Sequence, residues 1–308
     1  MLTLERTSHI QVETLLSRVG GTPLLRLSRG VENPNVRVYA KAEWFNPGGS
    51  IKDRAAMNMI LDGVRSGKLV KGKTIIDATS GNTGIAYAMI GAALGYPVEL
   101  VMPENVGQER RRMIEAFGAS ITYSDPLEGT DGSRSLVQTI VALSPDRYFY
   151  PDQYNNPANW QAHFETTGKE IFHQTDGKVT HFACGLGTTG TFVGVARCLK
   201  QVNPAIRCIS VQPDAPFHGL EGLKHLSSAW IPGIYDATLV DGTEEVSTEE
   251  AYAMVKQLAR REGLLVGVSS GAAAVAALRV AEKIETGVVV TVFPDSAAKY
   301  LNEQFWEK

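Results

Sequence analysis

The chain has 308 residues, of which 44% are apolar and 20% charged, so it can bury one large core or two medium ones and is not a disordered or fibrous protein. Its 30 basic and 33 acidic side chains nearly balance, which excludes the basic surface of a protein that binds nucleic acid or anionic membrane. The three cysteines lack metal-site or redox spacing, so we expect no metal, a reduced cytoplasmic protein and small-molecule partners.

The hydropathy pattern predicts neither a signal peptide nor a membrane span. The first residues lack the basic and apolar regions of a signal peptide. The longest apolar window, residues 84–103, contains Pro97 and Glu99 and divides at Gly95. We therefore interpret it as a buried helix followed by a strand, and not as a membrane span.

Short β-branched runs alternate with helical patterns along the chain. The predicted strands are residues 36–41, 74–77, 98–102, 120–123, 181–184, 207–212 and 288–293. The predicted helices are residues 51–66, 84–94, 108–116, 132–143, 162–174, 189–199, 248–261 and 270–284. Nearly continuous apolar strands predict mostly parallel sheets with helices on both faces, an α/β fold that binds ligands at the carboxyl ends of its strands. Residues 145–159 are the predicted junction between two such units, and residues 214–245 form a second irregular region.

Two motif matches lack the structural context that their chemistry needs. Residues 67–74 match a P-loop, yet a helix precedes them and a strand follows, the reverse of the order that aims backbone amides at phosphate. Residues 267–271 match the nucleophile motif of serine hydrolases, but every histidine precedes Ser269, whereas that fold places its histidine last. We expect neither a P-loop nucleotide site nor a Ser-His-acid triad.

A third match, the glycine-rich segment 185–190, has a suitable context. It follows a predicted strand and begins a helix, which favours phosphate binding at the helix N-terminus. A dinucleotide is a weaker interpretation, because only Asp214 approximates the acidic residue expected about 20 positions later.

Lys52 begins a predicted helix directly after the pair Gly48 and Gly49. The positive end of that helix and the nearby Arg54 favour the neutral, nucleophilic amine that imine chemistry needs, although an isolated lysine here also fits an exposed surface position. Residues 79–84 form a hydroxyl-rich turn between a strand and a helix. Such a turn suits an anion such as a carboxylate, and it equally suits an ordinary N-cap.

Taken together, these segments resemble the fold type II pyridoxal phosphate enzymes, and most closely the B-type members of the cysteine synthase group, the O-acetylserine or O-phosphoserine sulfhydrylases. The matching segments cover nearly the whole chain and are residues 21–24, 47–54, 79–84, 102–105, 153–159, 185–191 and 267–271. The resemblance implies two three-layer α/β domains with mostly parallel sheets, similar to the tryptophan synthase β subunit, and pyridoxal 5'-phosphate in the cleft between them. It implies that residues 48–150 form a smaller, mobile domain that closes on substrate, and that residues 1–47 plus 151–308 form a larger domain that binds the cofactor phosphate.

The resemblance also implies a role for each candidate site residue. Lys52 forms the cofactor imine and then transfers the substrate α-proton, Asn82 binds the ring 3-hydroxyl, and Ser269 faces the pyridine nitrogen. The residues implied to hold the phosphate are Gly187, Thr188, Thr189, Gly190 and Thr191. Those implied to bind the substrate carboxylate are Thr79, Ser80, Gly81, Thr83 and Gln153. Lys224 lies near a basic position associated with phosphoserine use, and a solvated loop lysine fits the sequence equally.

The implied activity is β-replacement, in which an activated serine loses acetate or phosphate and the resulting aminoacrylate accepts sulfide or another sulfur donor to give L-cysteine. The alternatives are a cystathionine β-synthase, which joins serine to homocysteine, and a catalytically silent regulatory protein that binds the cofactor. Members of the family are commonly homodimers. A sulfur-carrier or acetyltransferase partner stays open.

Overall fold

The computed structural model describes residues 14–307, so residues 1–13, which the sequence assigns to the larger domain, and residue 308 lie outside the described residues. Within residues 14–307 the strands are β1 Leu24–Leu27, β2 Val36–Ala42, β3 Thr74–Ala78, β4 Val98–Pro103, β5 Ser120–Ser124, β6 Tyr148–Phe149, β7 His181–Gly185, β8 Arg207–Pro213, β9 Gly242–Val246 and β10 Gly287–Phe293. The α-helices are α1 Lys52–Arg65, α2 Asn82–Leu94, α3 Gln108–Ala116, α4 Gly129–Leu143, α5 Pro157–His163, α6 Lys169–Gln174, α7 Gly190–Val202, α8 Thr248–Gln257 and α9 Val268–Lys283.

The strands form two sheets. The larger has the order β1-β2-β10-β7-β8-β9, in which β1 is antiparallel to β2 and the other pairs are parallel. The smaller has the order β5-β4-β3-β6 and is parallel throughout. The prediction of an α/β fold with mostly parallel sheets is therefore confirmed.

Each sheet has helices on both faces. In the smaller sheet, Ile75 packs with α1, α2 and α3, whereas Ile76 packs with α4 on the opposite face. Neighbouring residues of a strand point to opposite faces, so the run of apolar residues in β3 serves two cores at once. In the larger sheet, α8 and α9 cover one face and α6 and α7 the other. The predicted three-layer architecture is present in both halves of the chain.

All seven predicted strands are present, and three short strands were missed. β1 is the antiparallel edge strand, and β6 has only two residues. β9 lies at the other edge of the larger sheet, and its sequence Gly-Thr-Glu-Glu-Val lacks an apolar run. Edge strands have one unpaired side and need fewer buried residues, so the hydrophobic pattern reports them poorly.

The predicted helix 162–174 begins earlier, at Pro157, where the Asn156 side chain accepts a hydrogen bond from the Ala158 amide and caps it. A π-helical turn, Phe164–Gly168, then joins α5 to α6. The stretch predicted as the junction, residues 145–159, is not irregular throughout, because it contains β6 and the start of α5. β6 is a strand of the smaller sheet, and the next strand in the chain, β7, belongs to the larger one.

The apolar window 84–103 lies in α2 and β4, as interpreted from the sequence. α2 is buried along almost its whole length, which explains its uniformly apolar composition. Within the described residues, no helix combines the length and hydropathy needed to cross a membrane.

Candidate active site

The loops after β3, β7 and β10 and the N-termini of α1, α2, α7 and α9 surround a cleft with a volume of about 660 Å³. The cleft lies at the carboxyl ends of parallel strands, where α/β folds bind ligands, and helix N-termini give it a positive potential. Its lining contains every candidate residue named from the sequence except Gly81 and Gly190, which adjoin lining residues in the chain.

Lys52 is the first residue of α1 and lines this cleft. The Ile51 amide donates to the Pro294 carbonyl across 2.9 Å, so the start of α1 is attached to the segment that follows β10. Burial lowers the pKa of Lys52 below its usual range, Lys299 lowers it further, and Asp295 opposes both. The protein therefore favours a neutral amine at this position.

Arg54 does not contribute as expected from the sequence. Its guanidinium points away from the cleft and is bound by Glu43 at 2.8 Å and by Glu170 at 2.6 Å. The cation that acts on Lys52 is Lys299, which is distant in sequence and close only in the fold. That part of the sequence argument is wrong, although the direction of the effect on Lys52 is the same.

The glycine-rich loop after β7 ends in Thr189, the residue that precedes α7. Thr189 has a φ of 68°, which is unfavourable for a β-branched residue, and its side chain is 2% exposed. Its hydroxyl has no hydrogen-bond partner among the described residues. A buried hydroxyl beside the free amides of a helix N-terminus is suited to an anion such as a phosphate.

The glycines of this loop allow close packing by the protein itself. A Cβ on Gly187 would lie 2.2 Å from the Gly222 carbonyl oxygen, and one on Gly190 would lie 2.0 Å from Asn159 Oδ1. Asn159 also donates to Thr188 Oγ1 across 3.2 Å. These contacts fix the loop without using the hydroxyl of Thr189.

The Thr191 hydroxyl lies 3.3 Å from Nε2 of His163, and Nδ1 of the same ring lies 3.0 Å from the Thr167 hydroxyl. Burial holds the pKa of His163 well below its usual range, and nearby Arg54 and Lys52 lower it further. His163 is thus a neutral hydrogen-bond partner behind the loop. No motif in the sequence identified His163 as a site residue.

The turn after β3 is tightly hydrogen-bonded. Thr79 Oγ1 accepts from the Gly81 and Gly84 amides at 3.0 and 3.2 Å. The Thr83 hydroxyl donates to Gln153 Oε1 across 2.9 Å, and Gln153 Nε2 donates to the Ala78 carbonyl across 2.7 Å. The N-cap residue of α2 is Gly81, which supplies no side-chain cap, so Thr79 takes up an amide of the first turn from outside the N-cap position while it also lines the cleft.

Asn82 begins α2, and its side-chain amide is held at both ends. Nδ2 donates to Asp295 Oδ2 across 2.8 Å, and Oδ1 accepts from Lys299 Nζ across 2.6 Å. Ser269, the second residue of α9, lines the cleft near this group and is 7% exposed. Asp295 and Lys299 were missed from the sequence; the only signal was an acidic residue just beyond a strand end, where ligand-binding residues concentrate.

Two ion pairs cross the mouth of the cleft. Lys224 Nζ lies 3.1 Å from Asp131 Oδ1 of α4. Arg110 of α3 pairs with Glu221, donates to the Ser80 carbonyl across 3.0 Å, and lies over the Tyr300 ring. Segment 214–245 thereby contacts α3 and α4, which lie on opposite faces of the smaller sheet.

Comparisons with known proteins identify the family of this chain. A family model described as pyridoxal-phosphate dependent enzyme matches residues 15–295. A cysteine synthase of Aquifex aeolicus is 53% identical over 296 residues, which cover 94% of this chain and 90% of that protein.

Solved structures match the fold closely. A cysteine synthase from Entamoeba histolytica has a TM-score of 0.92 at 33% identity, covering 100% of this chain and 94% of that one. An O-acetylserine dependent cystathionine β-synthase from Helicobacter pylori has a TM-score of 0.90 at 35% identity, covering 96% and 99%. The chain belongs to the pyridoxal-phosphate dependent enzyme family, in the fold type II group that contains the cysteine synthases.

Proposed function

We propose that this protein is a pyridoxal-phosphate dependent cysteine synthase that replaces the β-substituent of an activated serine with sulfur. The observation that carries the proposal is the pairing, in one cleft, of Lys52 with a lowered pKa and the unpartnered buried hydroxyl of Thr189 at the N-terminus of α7. An amine for the aldehyde and an anion site for the phosphate are the two groups that this cofactor needs. The residues present therefore fit it.

The cofactor supplies an electron sink that permits loss of the β-substituent. Lys52 is proposed to bind it covalently, to take the α-proton from the substrate and to return it to the product. The proposed phosphate site is the N-terminus of α7 with residues 187–191. Asn82 is proposed to donate to the ring oxygen, and Ser269 to the ring nitrogen as a neutral partner.

The substrate carboxylate is proposed to bind the turn over residues 79–83 and Gln153. Ser80 is exposed and lines the cleft. The Thr83 hydroxyl donates to Gln153, which belongs to the same proposed site, so a bound carboxylate could replace Gln153 as its acceptor. Residues 48–150 are proposed to close over the bound substrate, which would exclude water from the reactive carbon.

Lys224 is the proposed determinant for a phosphate leaving group. Its ammonium lines the cleft and is paired with Asp131, so a substrate phosphate would compete with that carboxylate for the same cation. We further propose a cytoplasmic homodimer with small-molecule substrates. The cystathionine β-synthase activity in the name of the Helicobacter pylori relative makes homocysteine a second candidate sulfur donor.

The test is a turnover comparison of O-acetylserine, O-phosphoserine and serine, each supplied with sulfide, thiosulfate and homocysteine. We expect cysteine from an activated serine and sulfide at a kcat/KM at least about tenfold above that for serine with homocysteine, which is a difference of about 1.4 kcal/mol. Preferred formation of cystathionine would support the alternative activity. No turnover with any pair, despite bound cofactor, would support the silent binding protein.

Lys224→Gln is the variant for the leaving group, and Lys178→Gln, at an exposed lysine, is its matched control. We expect the Lys224 change to lower kcat/KM for O-phosphoserine about tenfold, because a charge-assisted contact is lost, and to leave O-acetylserine nearly unchanged. Equal loss for both substrates would contradict a phosphate-binding role.

A further inference from the structure

The segment after β10 contacts three of the loops that form the cleft. The Pro294 carbonyl accepts from Ile51, the Asp295 carbonyl accepts from Gly267 across 3.1 Å, and the Asp295 carboxylate accepts from Asn82. Lys299 ends the short 3-10 helix Ala297–Lys299 that follows. This segment therefore positions the turns that carry Lys52, Asn82 and Ser269, although it is absent from every motif recognised in the sequence.

Lys299 is 6% exposed, and its ammonium has two partners in the cleft wall. It donates to Asn82 Oδ1 across 2.6 Å and to the Gly49 carbonyl across 3.4 Å. Burying an ammonium is unfavourable, and burial lowers the pKa of Lys299; Asp295 and Asp53 oppose this effect only in part, and Arg110 adds to it. Packing alone therefore does not account for a lysine at this position, because burial disfavours its charged form.

The contacts of Asn82 define how its amide is oriented. An ammonium has only donors, so the atom that faces Lys299 is the carbonyl oxygen of the amide; a carboxylate has only acceptors, so the atom that faces Asp295 is the amide nitrogen. Tyr300 donates to the same Asp295 oxygen across 2.7 Å and fixes it in turn. The amide nitrogen has two hydrogens, and Asp295 uses one of them. The other is free to donate to a ligand.

We propose that Lys299 is a positioning residue that holds the Asn82 amide as a hydrogen-bond donor to the ring oxygen of the cofactor. This inference rests on the role proposed for Asn82 and extends it to a residue of the C-terminal segment. Lys299 also places a positive charge near Lys52, which favours the neutral amine, and the same charge would favour the anionic form of a cofactor oxygen bound by Asn82.

The test compares two ligands that differ only in the presence of the 3-hydroxyl oxygen on the ring. Apoprotein is titrated with pyridoxal phosphate and with 3-deoxypyridoxal phosphate, and dissociation constants are measured by absorbance and by quenching of intrinsic fluorescence. The variants are Lys299→Met, Asn82→Ala and their combination, with Lys178→Met as the matched control at an exposed lysine. Lys299→Arg keeps the positive charge while it changes the size of the side chain, so it separates the effect of the charge from the effect of size.

We expect the wild type to prefer pyridoxal phosphate by about tenfold or more, as is typical of one charge-assisted hydrogen bond. Lys299→Met should lose most of that preference while binding the deoxy analogue nearly as well as the wild type does. The double variant should lose no more than Asn82→Ala alone, because both changes remove one interaction.

Two results for the Lys299→Met variant would overturn the inference, and one for the wild type would as well. One is an unchanged preference in Lys299→Met, and the other is an equal loss of affinity for both ligands, which would indicate a structural role only. If the wild type itself has no preference, the role proposed for Asn82 fails and this inference fails with it. Turnover of an activated serine is measured separately, so failure of the proposed reaction is distinguishable from each of these outcomes.

Discussion

At the scale of single residues, Thr189 combines an unfavourable backbone conformation with an unpartnered buried hydroxyl. Its φ of 68° is rare for a β-branched residue, and its buried hydroxyl has no partner among the described residues. Each feature costs about 1–3 kcal/mol when nothing compensates for it. Both features lie at the N-terminus of α7, where an anion would use the hydroxyl and the helix amides together.

Thr189→Val should therefore affect the apoprotein and the cofactor complex in opposite directions. The change keeps the shape and removes the unpartnered hydroxyl, so we expect the free energy of unfolding of the apoprotein to rise by about 1 kcal/mol. We expect the affinity for pyridoxal phosphate to fall about tenfold, as measured by titration of the apoprotein. Thr189→Ser, which keeps the hydroxyl, is the control. Tighter binding by the valine variant would contradict a role of this hydroxyl in holding phosphate.

At the scale of elements, a buried charge cluster joins α1 to the larger sheet. Arg54 of α1 contacts Glu43, which follows β2, and Glu170 of α6, while Lys41 of β2 lies 2.6 Å from Glu170. Burial alone would raise the pKa of Glu170, but Arg54 and Lys41 outweigh it and hold the pKa at about 2. The cluster fixes the helix that begins with Lys52 from the side opposite to the cleft.

This pKa sets the direction of an effect of pH on stability. Glu170 is depressed from 4.5 to about 2, so its stabilising contribution is present above pH 4.5 and is lost as the pH falls toward 2. Glu170→Gln should lower the free energy of unfolding at pH 7 by about 2 kcal/mol, since Glu43 still pairs with Arg54, and the deficit should shrink between pH 4.5 and 2. Urea denaturation at several pH values measures it. Glu165→Gln, in an exposed pair with Lys169, should show a much smaller deficit at pH 7. A deficit for Glu170→Gln that does not change with pH would contradict this account.

At the scale of the whole molecule, the cleft mouth is bridged from the smaller sheet to segment 214–245 by the pairs Arg110–Glu221 and Lys224–Asp131. Glu221 is partly exposed, so its pair is screened by salt and contributes modestly. Arg110 also contacts the Ser80 carbonyl in the proposed carboxylate turn. The proposed closure of the cleft would therefore be coupled to the position of that turn through the Arg110 side chain.

Glu221→Gln should weaken this bridge while leaving the turn intact. We expect KM for the activated serine to rise about two- to fivefold at low salt, with a smaller difference from the wild type at 0.5 M salt, where the pair is already screened. Steady-state kinetics at the two salt concentrations measure it, and Glu282→Gln on the exposed side of α9 is the control. A salt-independent difference would show that the ion pair is not the cause.

The sequence by itself determined the seven main strands, the helices between them and the turns that carry the candidate site residues. Apolar runs and helix starts are local patterns, and the glycine and hydroxyl turns carry their chemistry in consecutive residues. Edge strands β1 and β9 escaped because they bury little, and β6 because two residues form no pattern.

Only the tertiary structure decided which charges act on the cleft. Arg54 is two residues from Lys52 in sequence yet points into the cluster with Glu43 and Glu170, whereas Lys299 is remote in sequence and faces Asn82. A helix directs neighbouring side chains to different faces, so adjacency along the chain does not predict adjacency in space. Electrostatic effects depend on distance and burial, and both are properties of the packed fold.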